Sequence, residues 1–278
     1  MARWTETLKR WTQPIPTDEL RARLEATRPP AEYGVDPFGF DLDYSLSMVT
    51  PFIWLYQNYF RCEVRGLENV PRGRVLLISN HSGQLPADGA MIAVAMLLQA
   101  DPPRIVRAMV EKWVPTLPFV STFFARVGQI VGTPENCRRL LERDEAILVF
   151  PEGIKGISKL YSQRYQLQDF GLGFMRLALQ TRTPIVPVSV VGAEEQAPAF
   201  TNLASIAKLV GLPVLPVTPQ VVPLPLPTKY RITFGEPLVF TGSHEDDDAE
   251  LEKKVTAVKA TIQRMLEQSL TERKAVFW

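Results

Sequence analysis

The sequence predicts an α/β fold in which a mostly parallel sheet is flanked by helices on both faces, with an N-terminal helical segment in front of it. Apolar runs of strand length alternate along the chain with stretches of helical periodicity. Most of these runs are apolar throughout, which is typical of strands buried on both faces. The 278 residues, 46% apolar and 22% charged, suit a globular chain that can bury a proper core.

Six strands and four helices are predicted after residue 60. Thr133, Pro134 and Glu135 mark a helix start, because threonine caps, proline fits the first turn and glutamate favours the helix dipole. Asp88 is likewise placed to cap the helix that it begins. The predicted strands span 61–65, 74–80, 105–110, 146–150, 184–191 and 230–234, and the predicted helices span 88–98, 133–143, 170–180 and 247–270.

We divide the chain into an N-terminal polar and amphipathic segment, residues 1–60, and an α/β domain, residues 61–278, that includes the C-terminal helix. Residues 1–43 are polar and rich in loop formers. Near the start, one helical face carries large apolar side chains beside basic ones, a combination suited to lipid headgroups. This face consists of Trp4, Leu8, Trp11 and Ile15. For this face and for the apolar stretch 46–60, the sequence allows either contact with a membrane or packing on the domain.

Neither of the two long uncharged stretches is predicted to cross a membrane. Residues 44–60 contain several polar side chains and Pro51, and residues 209–228 contain six prolines, which a lipid-exposed helix cannot accommodate. The N-terminus lacks the apolar run of a secretory signal peptide. Cys62 and Cys137 cannot form a disulfide framework, which favours a reducing compartment. We therefore expect a cytoplasmic protein.

Basic and acidic side chains are balanced over the whole chain, 31 against 30, which argues against a nucleic-acid binder. Six of the acidic side chains lie between residues 241 and 252, where there is no basic one. The rest of the chain is therefore moderately basic and suits an anionic membrane or a phosphorylated substrate. We expect peripheral contact with the cytoplasmic face of a membrane and no nucleic-acid partner.

Two polar loops directly follow apolar strands, and ligands in such sheets sit beyond the carboxyl ends of the strands. We call residues 80–88 the His81 loop and residues 150–156 the Glu152 loop. A histidine at a strand end can act as a general base, and Asp88 is close enough in sequence to orient it. The alternative is that His81 bonds only the loop backbone while Asp88 caps its helix. The other histidine, His244, lies in the acidic stretch and is not a candidate.

Three blocks of this sequence resemble the glycerolipid acyltransferases, the superfamily that contains lysophosphatidic acid acyltransferase. The blocks are His81 to Asp88, Phe150-Pro151-Glu152-Gly153 and Pro184 to Val188, and their order and spacing fit the family. The resemblance covers roughly residues 60 to 240. It implies the same α/β fold.

The sequence departs from the family pattern at the block that begins with His81 and at the block that contains Glu152. Six residues separate His81 from Asp88, where the family usually has four. Lys155 stands three residues after Glu152, where the family commonly has arginine. Lysine keeps the positive charge but lacks the two-pronged fork that arginine offers to phosphate.

Another departure concerns the cations that would bind phosphate. A further block of the family, a glycine-led strand that ends in arginine, corresponds to residues 128–133 of this sequence. The arginine of that block is missing here. Arg138 or Arg139, one helical turn further on, is a candidate substitute, and a solvated helix face is the alternative. Lys159 and Arg164 are further candidates for an anion site, with surface charge as the commoner explanation.

The resemblance implies an O-acyltransferase of phospholipid biosynthesis. The expected reaction moves a fatty acyl group from acyl-CoA or acyl carrier protein to the hydroxyl of a lysophospholipid or glycerolipid, with no metal and no further cofactor. His81 is the expected general base, oriented by Asp88, and backbone N–H groups of Gly153 or Gly83 are the expected oxyanion donors. Glu152 is expected to bind the acceptor or to brace the His81 loop. Expected substrate-binding residues are Glu152, Gly153, Lys155, Arg138, Arg139 and Arg164.

Three alternatives to a lysophospholipid acyltransferase remain open. In the first alternative the acceptor is a neutral alcohol such as diacylglycerol. In the second the acceptor is water, which would make the protein a thioesterase. A protein of another class, a non-catalytic lipid-binding protein at a membrane surface, would keep the fold without turnover. The sequence contains no Gly-x-Ser-x-Gly elbow and no cysteine–histidine cluster with zinc spacing, which disfavours a serine hydrolase of that type and a zinc site.

Overall fold

A computed structural model describes residues 15–27, 35–81, 87–110, 119–202, 216–217 and 224–277. Its centre is a seven-stranded sheet with the spatial order β1-β9-β6-β2-β5-β3-β4, and β7 and β8 form a separate pair. In chain order the strands are β1 Glu63–Arg65, β2 Val75–Ser79, β3 Val106–Val110, β4 Ile130–Val131, β5 Ala146–Val149, β6 Ile185–Val191, β7 Thr201–Asn202, β8 Pro216–Val217 and β9 Arg231–Phe234.

Five neighbouring strands, β6, β2, β5, β3 and β4, run parallel to one another. β9 pairs with β6 in the antiparallel direction, and β1 follows β9. The predicted mostly parallel sheet is therefore confirmed. In the register, Ile78 of β2 lies opposite Val149 of β5 and Pro187 of β6. The carboxyl ends of these three central strands consequently meet at one edge of the sheet.

Helices cover both faces of this sheet, as predicted. One face packs against α1, α2 and α3 around Leu77 and Val188, and the other packs against α5, α7 and α8 around Ile78 and Ile147. The helices are α1 Thr17–Ala26, α2 Leu42–Trp54, α3 Ala87–Gln99, α4 Val120–Arg126, α5 Pro134–Leu141, α6 Ile154–Ile157, α7 Gly173–Thr181 and α8 Asp248–Glu272. The expected cap at Thr133 is present, since its side chain accepts a hydrogen bond from the backbone of Asn136.

The predicted N-terminal helical segment includes a helix that the sequence did not locate, within the polar stretch 1–43 that was expected to be rich in loops. Helix α1 lies within it and buries Leu20 and Leu24. Two leucines four residues apart in a polar setting give only a weak helical pattern, which is why the sequence did not reveal this helix. Helix α7 also starts three residues later than predicted, because Phe170 to Leu172 belong to the preceding loop.

The apolar stretch 46–60 largely packs on the domain. It forms most of α2 and a π-helical turn, Leu55–Tyr59, and it buries Ile53 and Phe60 while Trp54 stays 51% exposed. The amphipathic face at Trp4 to Trp11 lies outside the described residues, and the division at residue 60 stays a prediction. In the described part of the chain, every helix is too short or too polar to span a bilayer.

Candidate active site

The His81 loop leaves the sheet from a tightly held strand end. Asn80, fully buried, donates a side-chain hydrogen bond to the carbonyl of Val190 and accepts one from its N–H, at 3.0 and 2.8 Å. This pair ties the end of β2 to β6 beyond the regular ladder. The backbone before His81 is therefore fixed by two hydrogen bonds that water does not reach.

His81 and Asp88 contact each other despite the six residues between them. The distance from His81 Nδ1 to Asp88 Oδ2 is 2.8 Å, and the Asp88 side chain is completely buried. A carboxylate only accepts hydrogen bonds, so Nδ1 is the donor in this contact and Nε2 is the ring nitrogen that does not contact Asp88. Asp88 is the second residue of α3, and its other oxygen accepts the N–H of Gly89. Its carboxylate thus serves the histidine from within the first helical turn.

Phe150 holds one face of the imidazole. Its ring stacks on that of His81 with centroids 4.0 Å apart and planes 20° apart. The contact follows from the topology, because β2 and β5 are neighbours and the two residues follow their carboxyl ends. Asp88 thus fixes one edge of the ring and Phe150 one face. Nε2 lies on the opposite edge, and the side chain of His81 is 13% exposed.

Glu152 braces the start of the His81 loop through hydrogen bonds to backbone N–H groups. Its buried carboxylate accepts the backbone N–H of His81 at 2.9 Å through Oε1 and that of Gln168 at 2.8 Å through Oε2. Of the two uses expected for this residue, the geometry therefore matches bracing. The N–H of Gly153 donates to the carbonyl of Phe150 at 3.0 Å and is already used within the turn, and Gly83 lies outside the described residues.

The structure does not bring the expected phosphate-binding cations together at these loops. Lys155 is 68% exposed and lies 3.5 Å from Asp169. Arg138 pairs with glutamates of α5 and its C-terminal end, at 2.9 and 2.6 Å. The guanidinium of Arg139 lies over the ring of Phe38, and that of Arg164 lies over Tyr161.

Two charged residues, Lys159 and Glu194, lie buried against Glu152, and only Lys159 was a candidate in the sequence. Lys159, whose side chain is 3% exposed, is 2.9 Å from Glu194 and 3.4 Å from Glu152. Lys159 is therefore not the surface charge that the sequence favoured. Glu194 was missed, although Glu194 and Glu195 directly follow β6 at the same edge of the sheet. The strand-end rule that selected the other two loops also applies to this one.

Burial raises the pKa of Glu194 to about 7, while the charge and hydrogen bond of Lys159 oppose the rise. The folded chain therefore holds a proton on Glu194 that the unfolded chain loses above its ordinary value of 4.5. The contribution of Glu194 to the free energy of unfolding should therefore fall as the pH rises through this window. We expect Glu194→Gln to remove this decline, so that the stability of the variant relative to wild type increases from pH 5 to pH 8. Urea unfolding at four pH values measures this, and parallel pH dependences would contradict it.

Gly156 allows the Glu152 loop to approach His81 closely. A Cβ atom there would lie 2.9 Å from the Cβ of both Glu152 and His81. Alanine in a helix gains up to about 1 kcal/mol over glycine, but overpacking costs about 1–3 kcal/mol. We expect Gly156→Ala to displace the His81 loop and lower turnover by about 10- to 100-fold.

The control for Gly156→Ala is Gly173→Ala at the start of α7, where the added Cβ meets no atom within 4 Å. Steady-state kinetics and thermal melting of both variants test the expectation. Equal turnover in the two variants would show that the close approach of the loops has no catalytic consequence.

Comparison with known proteins identifies the family. The family described as Acyltransferase matches residues 61–191, which include both loops and strands β2 to β6. An uncharacterized protein of Mycobacterium tuberculosis is 38% identical over 271 residues, covering 93% of this chain and 74% of its own. A chicken protein named "DGAT1/2-independent enzyme synthesizing storage lipids" is 24% identical over 209 residues, 73% of this chain and 58% of its own.

The fold agrees with a solved structure of the superfamily. The crystal structure of the 1-acyl-sn-glycerophosphate acyltransferase PlsC from Thermotoga maritima superposes with a TM-score of 0.54 at 18% identity, covering 84% of this chain and 80% of the other. The family match spans the blocks that carried the resemblance in the sequence, and the shared fold places their loops at one edge of the sheet. The chain therefore belongs to the Acyltransferase family and is an acyltransferase.

Proposed function

We propose that this protein transfers a fatty acyl group from an acyl thioester, on coenzyme A or acyl carrier protein, to the hydroxyl of a lysophospholipid or other glycerolipid, with His81 as the general base. The contact of 2.8 Å between His81 Nδ1 and Asp88 carries the proposal. It leaves Nε2 with its lone pair on the outer edge of a ring that Phe150 holds in place.

The proposed mechanism uses His81 twice. Nε2 takes the proton of the acceptor hydroxyl while the oxygen attacks the thioester carbonyl. The resulting imidazolium is stabilised by Asp88. The tetrahedral intermediate then breaks its C–S bond, and the imidazolium returns the proton to the departing thiolate. General-base assistance of this kind contributes roughly 10²–10⁴-fold to the rate.

A neutral glycerolipid such as diacylglycerol is the second candidate acceptor. Among the described residues, Arg138 is paired on its own helix and Arg164 stacks on Tyr161, so neither is aimed at the loops. Less cationic charge at the site favours an acceptor without phosphate. The similarity to a chicken enzyme named for storage-lipid synthesis supports the same candidate.

We also propose that the protein works as a peripheral protein on the cytoplasmic face of a membrane. Two exposed apolar side chains, Trp54 and Leu224, support a lipid contact. They lie near each other, because Trp54 packs against Tyr59, and the hydroxyl of Tyr59 donates to the carbonyl of Pro225, the residue after Leu224. Aromatic side chains at such positions suit the headgroup region of a bilayer. Flotation with anionic vesicles tests this, and a loss of binding on Trp54→Ala is expected.

An acceptor screen tests the proposed function. Purified protein is given a long-chain acyl-CoA or acyl carrier protein with lysophosphatidic acid, diacylglycerol or no acceptor, and products are identified by mass spectrometry. New ester on lysophosphatidic acid supports the first acceptor, and ester on diacylglycerol supports the second. Free fatty acid alone would identify a thioesterase. Lipid binding without consumption of either thioester would contradict enzymatic acyl transfer.

A further inference from the structure

The buried carboxylate of Glu152 needs a compensating positive charge. Both of its oxygens accept backbone N–H groups, from His81 and from Gln168, and its side chain is fully shielded from water. Removing one charge from water without a partner costs several kcal/mol. Lys155, three residues after Glu152 and expected to bind phosphate, does not supply this charge, because it is largely exposed and faces Asp169.

Lys159 supplies that charge from inside the protein. Its Nζ atom lies 3.4 Å from Glu152 Oε2 and 2.9 Å from Glu194 Oε1, and all three side chains are at most 5% exposed. Lys159 follows the Glu152 loop, and Glu194 belongs to the Glu194 loop, residues 192–199, after β6. One ammonium group thus connects the loops that follow all three central strands.

We propose that Lys159 and Glu194 are positioning residues, whose buried hydrogen bond fixes the carboxylate of Glu152 and, through it, the backbone of His81. Glu194 holds the ammonium group in place, and the ammonium group holds Glu152 in the orientation that accepts the His81 N–H. The imidazole then keeps a fixed position relative to Asp88 and Phe150. The catalytic consequence rests on the proposed role of His81 as the base, whereas the positioning of the loop does not.

The rest of the Glu194 loop is built to stay in place. Glu195 bonds the hydroxyl of Tyr165 and pairs with Arg273 at 2.7 Å, and the hydroxyl of Tyr230 donates to Gln196 at 2.8 Å. These side chains, apart from the partly exposed Arg273, are buried. The loop that carries Glu194 is therefore itself fixed by Arg273, directly after α8, and by Tyr230, directly before β9.

The experiment compares Lys159→Met and Glu194→Gln with the control Lys253→Met, an exposed lysine of α8 that pairs with Glu250. All variants carry His244→Gln, so that His81 is the single histidine of the chain. The readouts are kcat and KM of acyl transfer, hydrogen exchange of the His81 amide, and the tautomer of its ring from ¹⁵N NMR. Circular dichroism confirms that each variant is folded.

We expect kcat to fall by about 10- to 100-fold in Lys159→Met with little change in KM, because the base is misplaced and the acceptor site is not. The His81 amide should exchange faster and the ring should lose its single tautomer. Glu194→Gln keeps the shape of the side chain, so it should show a smaller loss and replaces Lys159→Met if that variant does not fold. The double variant should lose no more than Lys159→Met, because both changes break one unit.

Three results would overturn the proposal: kcat within twofold of wild type in Lys159→Met and Glu194→Gln, an unchanged His81 amide in both, or an equal or larger loss in the control Lys253→Met. The two hypotheses are separable. If wild type transferred no acyl group, the proposed function would be wrong, but the exchange rate of the His81 amide would still decide whether Lys159 positions the loop.

Discussion

Replacing His81 with alanine is expected to lower kcat for acyl transfer by roughly 10²–10⁴-fold while KM for the thioester stays within a few fold. In the proposed mechanism the imidazole removes the hydroxyl proton only as the reaction proceeds, so its loss should affect the transition state more than the bound substrate. The side chain is only 13% exposed, yet its removal leaves the amide of His81 bonded to Glu152, because that bond uses the backbone. The loop should therefore keep its place.

His244→Ala provides the matched control for His81→Ala. His244 lies in the acidic stretch before α8, where its backbone carbonyl accepts a hydrogen bond from Arg176. Its imidazole has no part in the proposed chemistry. A loss of turnover in His244→Ala as large as that in His81→Ala, with both variants folded, would remove His81 from the mechanism.

Asp88→Asn is expected to lower kcat by a similar factor, roughly 10²–10⁴-fold, although it changes the shape of the side chain very little. An asparagine amide can donate to Nδ1, which stabilises the tautomer that carries its proton on Nε2. That tautomer has no lone pair with which to accept the hydroxyl proton. Asparagine also provides no negative charge beside the imidazolium as it forms.

The control for Asp88→Asn is Asp43→Asn, which changes an exposed carboxylate in the first turn of α2 that pairs with Arg21. Stopped-flow measurement of thiol release gives the rate for both variants, and ¹⁵N NMR gives the tautomer of His81. Retention of the wild-type rate in Asp88→Asn, with the altered tautomer observed, would separate the His81–Asp88 contact from catalysis.

The sequence was sufficient to predict the sheet and two of its functional loops. Apolar runs marked the strands, and the rule that ligands gather at the carboxyl ends of parallel strands selected His81 and Glu152. β9 alternates between partly buried and fully buried residues, a pattern typical of antiparallel strands, but four residues are too few for the sequence to reveal its direction. The contact across the six residues between His81 and Asp88 depends on loop geometry, which the residue count does not determine.

The charged residues were harder to predict than the histidine. Lys155 lies in the Glu152 loop and Lys159 follows it, and no local pattern says which of them points inward. Glu194 lies 35 residues from Lys159 along the chain. The two meet because β6 and β5 flank β2, so that the loops after them converge. Only the tertiary arrangement shows that Lys159 is the buried one.

The most direct test of the account is the fate of the acceptor oxygen in a single turnover. Wild-type protein and His81→Ala are mixed with acyl-CoA and a glycerolipid whose free hydroxyl carries ¹⁸O, and the ester is analysed by mass spectrometry. If His81 activates that hydroxyl, wild type should form one ¹⁸O-containing ester for each thiol released, and His81→Ala should form almost none in the same time. Release of unlabelled fatty acid in place of the ester, or labelled ester at equal rates in both proteins, would contradict it.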